Sequence, residues 1–343
     1  MKTVNVLGSC VSRVSTLKGH QDAHGIWDGE RQGVKLKYFL DKHNIAVAML
    51  PPPFSKEEVM SIGEEGMYDP SRLTCMRQML LKETVPLLME DADYLIMDFY
   101  DFHSLFFIYN GTAFGTQAAN FMRTPFFKDR EKEFQPALWF EVSMEDYLPY
   151  VDDFFQIIMQ KYDADHIILN RFRANQYYLD QSGKILLISE GNMTPTQCHF
   201  KYNDKCRELE QYVIDKYNPY VIDISSCFMG DANVWDNLNA SHFENEFYRE
   251  TYDYIMKIIH GDTGGIRYFN DVRFFESSRE GFEEDKQRAF DVEWGLKVLK
   301  VLLYEDDLLW ANVLDKLWMH APNDPRVREY MNMLGVQDTV ASQ

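Results

Sequence analysis

The chain has 343 residues, of which 45% are hydrophobic, and a formal net charge of −19 at pH 7. This length allows one large domain with an accessory part, and the acidity argues against nucleic acid or an anionic membrane as a partner, because both bind basic surfaces. The sequence has no apolar run of the roughly 18 residues that span a membrane. Residues 4–7 are too short a run for a signal peptide, and the cysteines lack zinc-type spacing. We therefore expect a cytoplasmic protein with neither a membrane span nor a metal site.

The first element is a short apolar strand, residues 4–7, which breaks at Gly8 before an amphipathic pattern begins at Ser9 and Cys10. This pattern predicts a strand, a sharp turn that Gly8 permits, and a helix with Cys10 at its N-terminus. In an open α/β sheet such a turn lies at the carboxyl edge, where sites form. The helix N-terminus and Arg13 predict a lowered pKa for the Cys10 thiol, which favours the reactive thiolate. The alternative is that Cys10 is a small buried hydrophobic residue.

The next segments alternate between helix and strand patterns. We predict a helix at residues 34–41, a strand at 45–50 that ends at three prolines, and a helix at 71–90 that is kinked at Pro86. Residues 94–98 then predict a buried strand that ends in Asp98, followed by Asp101. Asp98 is a candidate for the site, although a capping hydrogen bond is the simpler interpretation.

An aromatic, glycine-containing segment follows at residues 105–127 and has neither a helical nor a strand period. A long loop inside a compact domain is usually functional, and its aromatic density argues against disorder. We therefore predict a lid or a wall that binds an acceptor. The alternative is simple packing of this segment onto the sheet.

The middle of the chain continues the alternation, with a helix at residues 144–162 and a strand at 166–169. Arg171 and Arg173 follow that strand and are candidates for binding a carboxylate or phosphate, with ion pairing equally open. A hairpin is predicted at 177–188, a helix at 200–217 and a strand at 219–224. Five strand and helix units imply an α/β fold with a doubly wound, five-stranded parallel sheet.

The first turn resembles a known family. Gly8-Ser9-Cys10 is similar to the Gly-Asp-Ser of SGNH or GDSL-type hydrolases, with Cys10 at the position of the nucleophilic serine. The longer run Gly-Ser-Cys-Val-Ser-Arg resembles a bacterial branch of that superfamily found among surface-polysaccharide genes. The resemblance covers residues 1–260 and implies a flavodoxin-like SGNH fold for this catalytic domain.

The resemblance also implies a general base. SGNH enzymes carry Asp-x-x-His before the last helix, and this chain has Asn239-Ala240-Ser241-His242 there. His242 is then the expected base for Cys10, and Asn239 would orient the imidazole, as asparagine does in papain-type proteases. Asp231 and Asp236 are alternative orienting residues.

One motif of the family is absent. The Gly-x-Asn-Asp that helps to hold the oxyanion is replaced by Asp98-Phe99-Tyr100-Asp101-Phe102. Backbone groups after the first strand, at Gly8 and Ser9, together with Arg13, Asp98, Asp101, Arg171 and Arg173, are therefore the expected oxyanion and substrate-binding residues.

The expected function is acyl transfer, such as acetylation of a polysaccharide precursor, or ester hydrolysis on a carbohydrate. No bound cofactor is expected, and acyl-coenzyme A is the candidate co-substrate. The alternative is a non-catalytic binding or scaffold protein on a degenerate SGNH fold.

A glycine-rich break at residues 261–265 indicates a domain boundary. Beyond it, residues 266–343 predict a helical accessory region with helices at 283–303, 306–320 and 324–334. The last two helices are similar to a tetratricopeptide unit. Docking onto the catalytic domain or onto a partner protein is one expected role, and a purely structural role is the other.

Overall fold

The computed structural model describes residues 1–16, 33–100, 104–115, 118–172, 177–179, 181, 185–187, 197–225, 228, 230–234, 241–269, 292, 295–296, 299, 303 and 310–334. The strands are β1 (Lys2–Gly8), β2 (Val34–Asp41), β3 (Tyr94–Met97), β4 (Leu105–Tyr109), β5 (Thr112–Gly115), β6 (Gln135–Leu138), β7 (Ile167–Asn170), β8 (Tyr177–Leu179), β9 (Ile185–Leu187), β10 (Tyr220–Ile222), β11 (Gly230–Asp231) and β12 (Tyr268–Phe269). The α-helices are α1 (Cys10–Thr16), α2 (Ile45–Ala48), α3 (Lys56–Ser61), α4 (Leu73–Leu80), α5 (Thr84–Leu88), α6 (Ala118–Phe121), α7 (Pro125–Lys128), α8 (Met144–Ile158), α9 (Gln197–Tyr217), α10 (Asn245–His260), α11 (Trp310–His320) and α12 (Pro325–Met333).

A parallel sheet forms the centre of the molecule. Its strands, across the described residues, follow the order β12-β10-β7-β3-β1-β2, and every neighbouring pair is parallel. Numbered along the chain, this order is 2-1-3-4-5-6, the doubly wound arrangement in which strand order reverses at the first strand. Helices flank the sheet: α1 packs against α10, whereas α2, α5 and α9 pack against α8. The predicted doubly wound α/β class is confirmed.

The sheet has six strands in the described residues rather than the five that the sequence predicted. The additional edge strand, β12, pairs with β10 through Val221↔Tyr268 and Ile222↔Phe269. It was missed because it is two residues long and lies after the glycine-rich break, within the range assigned to the accessory region. Residues 268 and 269 therefore extend the sheet past the predicted boundary.

Two early predictions were wrong: the segment predicted as a helix is a strand, and the segment predicted as a strand begins with a short helix. Residues 34–41 form strand β2, which pairs with β1 from Lys2↔Val34 to Gly8↔Asp41. An edge strand keeps polar residues beside its apolar ones, so its pattern was mistaken for that of an amphipathic helix. Residues 45–48 form a short helix instead of a strand, because the Asn44 side chain accepts a hydrogen bond from the Val47 N–H at 3.0 Å and caps it.

The aromatic segment at residues 105–127 is packed structure rather than a loop. Strands β4 and β5 form an antiparallel hairpin through Asn110 and Gly111, with φ of 48° and 76°, and β6 pairs with the other side of β4. Asn-Gly is the strongest two-residue hairpin signal, and it was overlooked among the aromatics. The aromatic side chains pack on one another, as Phe107 does on Phe114 and Phe127. The prediction that this segment is a loop was therefore wrong, and its role as a lid or as a wall that binds an acceptor stays a prediction.

Two later predictions are confirmed in type. Strands β8 and β9 form the predicted hairpin, whose turn near Gly183 lies outside the described residues, and β11 adds to it in parallel. Near the C-terminus, α11 and α12 form the last two predicted helices. Their apolar residues belong to a second hydrophobic cluster made of Leu296, Leu299, Val313, Leu314, Leu317, Val327, Tyr330 and Met331. None of the helices in the described ranges has the length and apolar character that crossing a membrane requires.

Candidate active site

The strand order reverses between β1 and β3, whose carboxyl ends lie at the same edge of the sheet. In doubly wound sheets ligands bind in the crevice at such a reversal. Cys10 begins α1 directly after β1, and Asp98 directly follows β3. Asp41 ends β2 and Asn170 ends β7, so four strands deliver polar side chains to the same edge. The thiol, two carboxyl groups and an amide therefore share this edge of the sheet.

A buried carboxylate, Asp98, organises the turn that carries Cys10. Its oxygens accept hydrogen bonds from the Ser9 N–H and the Ser9 hydroxyl, each at 3.0 Å, and from the Ser12 hydroxyl at 2.5 Å. The Tyr100 N–H donates a further hydrogen bond at 3.0 Å. Burial raises the pKa of Asp98, whereas these hydrogen bonds act in the opposite direction. These contacts agree with the capping hydrogen bond predicted for Asp98, since they join the end of β3 to the first turn of α1.

Gly8 is required at the end of β1 because the Asp98 carboxyl group occupies the space beside it. The φ of Gly8 is +150°, which side chains of L-amino acids rarely adopt. A Cβ at this position would lie 2.5 Å from Cγ of Asp98. Gly8 therefore allows the carboxyl group to approach the backbone, in addition to forming the tight turn that the sequence predicted.

The Cys10 thiol is protonated at neutral pH. Burial raises its pKa from 9.0 to about 11, and the carboxylates of Asp41 and Asp98 raise it as well, against the lowering effect of Lys42 and Arg72. Arg13, which was expected to favour the thiolate, lies over the ring of Phe39 at 5.6 Å. The prediction of a lowered pKa was therefore wrong, because desolvation outweighs the helix N-terminus.

Sequence reasoning missed the charged groups around Cys10 at the end of β2. Asp41 is buried and pairs with Arg72, with 2.5 Å between Oδ2 and Nη1. The Lys42 N–H donates to the Gly8 carbonyl at 2.6 Å, and its ammonium lies 5.7 Å from the centre of the Tyr100 ring. An acid at the end of a strand was the available signal, but residues 34–41 had been interpreted as a helix.

His242 lies in a segment that two buried tyrosines hold. His242 is 6% exposed and lies three residues before the first residue of α10. On one side of it the Ser241 hydroxyl donates to the Tyr100 hydroxyl at 3.0 Å, and on the other the Phe243 N–H donates to the Tyr248 hydroxyl at 3.1 Å.

Both tyrosines are electrostatic neighbours of Cys10. Burial raises the pKa of Tyr100 and of Tyr248, and negative charge on Cys10 adds to the increase in each. The anchors on both sides of His242 are therefore close enough to Cys10 to interact with its charge. These interactions relate Tyr100 and Tyr248 to Cys10, and the pairing of His242 with Cys10 stays a prediction.

Asn170 adds an amide to the network below the turn. Its Nδ2 donates to the Ser12 hydroxyl at 3.0 Å, and the single proton of that hydroxyl goes to Asp98. Oδ1 of Asn170 is buried and accepts no hydrogen bond from the part of the chain that the structure describes. The sequence analysis did not select Asn170, although it directly precedes the predicted Arg171.

Arg171 is held by carboxylates. Its Nε lies 2.9 Å from Glu210 and its Nη1 lies 3.0 Å from Asp223, in surroundings where the arginine side chain is 9% exposed. Tyr268 of β12 contacts both Arg171 and Asp223. The ion-pairing alternative therefore describes the observed contacts, and the guanidinium charge is already balanced.

Asn239, Asp101, Arg173 and Asp236 fall outside the described residues. The Asp231 carboxylate accepts a hydrogen bond from the Asn233 N–H at 2.7 Å and so closes a turn after β11. Among the residues that the structure describes, no three His, Cys, Asp or Glu side chains group as metal ligands.

Comparison with known proteins adds no family to this geometry. A scan against protein-family models and a search of curated proteins each found no match for the chain. The functional proposal therefore depends on the residues at the carboxyl edge of the sheet.

Proposed function

We propose that this protein is a cytoplasmic acyl-group enzyme with an SGNH-like, flavodoxin-type catalytic domain. Cys10 is the nucleophile and His242 is the base. The substrates are an acyl thioester, such as acetyl-coenzyme A, and a polysaccharide or related carbohydrate. The observation that supports this function best is the position of Cys10 at the reversal of strand order. Tyr100 and Tyr248, which bond to the residues on either side of His242, interact with charge on Cys10 and add support.

The high pKa of Cys10 requires a base for the first step. At neutral pH the thiol keeps its proton, so His242 accepts that proton as Sγ attacks the carbonyl carbon of the thioester. The tetrahedral intermediate then expels the donor thiolate, which takes the proton from His242. A sugar hydroxyl or water next attacks the Cys10 thioester and gives its proton to His242. The C–S bond then breaks, the acyl group leaves as an ester or a free acid, and His242 returns the proton to the Cys10 sulfur. This use of the imidazole resembles a serine and histidine pair more than a preformed thiolate and imidazolium pair.

The hydrogen bonds of the turn restrict which backbone groups hold the oxyanion. The Ser9 N–H donates to Asp98, and the Val11 N–H donates to the Ser9 hydroxyl at 3.1 Å. We therefore assign Ser9 and Asp98 to bracing the turn, and the Cys10 N–H to the oxyanion. The unpartnered Oδ1 of Asn170 is a hydrogen-bond acceptor for a donor on the substrate.

Replacing the nucleophile tests the proposal. Cys10→Ala should lower the release of free coenzyme A from acetyl-coenzyme A by about 10³-fold or more, and His242→Gln by about 10²-fold, because each removes a group that reacts directly. His166→Gln is the matched control, since His166 lies before β7 at the other end of the sheet and pairs with Asp163. Turnover that persists in folded Cys10→Ala would contradict the mechanism.

A second candidate function is non-catalytic binding on the same fold. The raised pKa of Cys10 favours this function, because a protonated thiol is a poor nucleophile. The hydrogen bond from the Ser9 N–H to Asp98 favours it as well, because that N–H is then not available to an oxyanion. A ligand that binds the native state raises its melting temperature. Thermal-shift measurements with acetyl-coenzyme A and sugar nucleotides discriminate the two functions, since stabilisation without turnover in the wild type is the outcome expected of a binding protein.

A further inference from the structure

A second thiol and imidazole meet outside the Cys10 site. Sγ of Cys75 lies 3.5 Å from Nε2 of His43, and Nδ1 of His43 lies 2.8 Å from the Thr84 hydroxyl oxygen. Cys75 lies on α4, His43 follows β2, and Thr84 begins α5. Three elements therefore assemble a cysteine, a histidine and a threonine in the order of a nucleophile, a base and an orienting group.

The imidazole of this cluster is neutral. His43 is 2% exposed, and burial lowers its pKa to about 3. A neutral ring carries one proton, and a proton on Nδ1 that is donated to Thr84 leaves the lone pair of Nε2 facing the sulfur. A nitrogen lone pair in contact with a thiol is positioned to accept its proton when the sulfur attacks an electrophile.

Cys75 is less buried than another of the free thiols, Cys206. Cys75 is partly exposed, whereas Cys206 is fully buried and its thiol lies 3.6 Å from the Phe99 carbonyl. The Cys75 thiol has a second acceptor for its one proton, the Asp41 carbonyl, whose oxygen lies 3.5 Å from the sulfur, the same distance as Nε2 of His43. Partial cover and a net charge of −19 favour a small, neutral reagent over a large or anionic one.

We propose that Cys75 is a modification site that reacts with small hydroperoxides, with His43 as its base. In this step Sγ attacks the terminal oxygen of the peroxide, an S–O bond forms and the O–O bond breaks. The thiol proton passes through His43 to the departing oxygen within the same step, because burial disfavours a lasting imidazolium, and that oxygen leaves as water when the reagent is hydrogen peroxide. The sulfur loses two electrons and becomes a sulfenic acid, and the peroxide gains them. The reaction does not use Cys10.

Trapping of sulfenic acid tests the proposal on the full-length protein. The chain is treated with hydrogen peroxide in the presence of dimedone, and the adduct at each cysteine is measured by peptide mass spectrometry over time. Cys75 should be labelled about 10-fold or more faster than Cys10 and Cys206. His43→Gln should slow labelling of Cys75 about 10-fold, and Thr84→Val should slow it by a smaller factor, because the ring loses its orienting partner.

Controls separate this site from the acyl-transfer proposal. Cys10→Ala should leave the labelling rate of Cys75 unchanged, and so should His166→Gln, which removes an exposed histidine elsewhere. Labelling of Cys75 no faster than that of Cys206 in the wild type would overturn the proposal. An unchanged rate at Cys75 in Thr84→Val and in His43→Gln would overturn it too. If His43→Gln does not fold, the wild-type comparison and Thr84→Val decide.

Discussion

Cys10 and Cys75 both interact with Asp41, but the two thiols have different surroundings. Cys10 is affected by the Asp41 carboxylate, and Cys75 lies against the Asp41 carbonyl. Cys10 occupies a helix N-terminus, which is the local position associated with reactive thiols, yet burial and two carboxylates raise its pKa. Cys75 lies inside a helix and has an imidazole 3.5 Å from its sulfur. Position along a helix therefore does not decide the chemistry of a thiol, because the tertiary neighbours of the sulfur have a larger effect than the helix does.

The sizes of the two effects on the Cys10 thiolate explain why the tertiary neighbours outweigh the helix terminus. A helix terminus contributes about 0.3–1 kcal/mol to a nearby charge. Raising a pKa from 9.0 to about 11 corresponds to about 3 kcal/mol against the thiolate. Desolvation by the surrounding fold is therefore larger than the local effect for which the sequence provided a signal.

Gly8→Ala should have the largest effect on the Cys10 side. The new Cβ would lie 2.5 Å from Cγ of Asp98 at an unfavourable φ, so we expect the free energy of unfolding to fall by about 3 kcal/mol or more. Urea denaturation measures this loss. Gly33→Ala is the matched control, because Gly33 has a φ of +83° and nothing in the described part of the chain lies within 4 Å of a Cβ there, so its cost should be only about 1 kcal/mol. Equal losses in the two variants would show that the close approach of Asp98 is unimportant.

The His43 imidazole beside Cys75 should make the free energy of unfolding sensitive to acid. Its pKa is about 3 in the folded chain and 6.5 in the unfolded chain, so between these values the unfolded chain binds the additional proton and stability falls as pH falls. From pH 6.5 to 4.5 this group should lower the free energy of unfolding by about 2–3 kcal/mol.

Denaturation at several pH values, compared between wild type and His43→Gln, isolates that contribution. The variant should lose less stability over the interval than the wild type does. A pH dependence in His43→Gln equal to that of the wild type would contradict the buried, neutral state of the ring.

Asp41→Asn should have the smallest effect and should act on one thiol only. Removal of the carboxylate leaves Lys42 and Arg72 to favour the Cys10 thiolate, so its pKa should fall by about one unit. At pH 8 the rate of alkylation of Cys10 by iodoacetamide should then rise about 5- to 10-fold. The rate at Cys75 should change much less, because Cys75 contacts the Asp41 backbone, which the substitution keeps.

Peptide mass spectrometry reports both rates in one sample. Asp163→Asn is the control, since it removes an exposed carboxylate that pairs with His166 and should leave both rates unchanged. If the Cys10 rate in Asp41→Asn stays at the wild-type value, the Asp41 carboxylate does not contribute to the raised pKa of Cys10.

Local patterns predicted the elements whose signal lies within a few residues. The apolar run before Gly8, the buried strand before Asp98 and the amphipathic helix from Met144 are all present in the structure. Errors occurred where context decides the outcome. The edge strand β2 has a mixed pattern, and the aromatic hairpin is formed by its Asn110-Gly111 turn and by packing of rings from separate segments.

The sequence by itself determined the alternation of strands and helices, and with it the placement of Cys10 and Asp98 at the carboxyl ends of neighbouring parallel strands. Only the tertiary structure decided that Cys10 is protonated, that Arg171 is balanced by Glu210 and Asp223, and that Cys75 meets His43. The physical reason is that hydrophobic periodicity and turn residues act over a few positions. Burial, charge and hydrogen-bond partners depend on groups that lie far apart in the chain and meet only on folding.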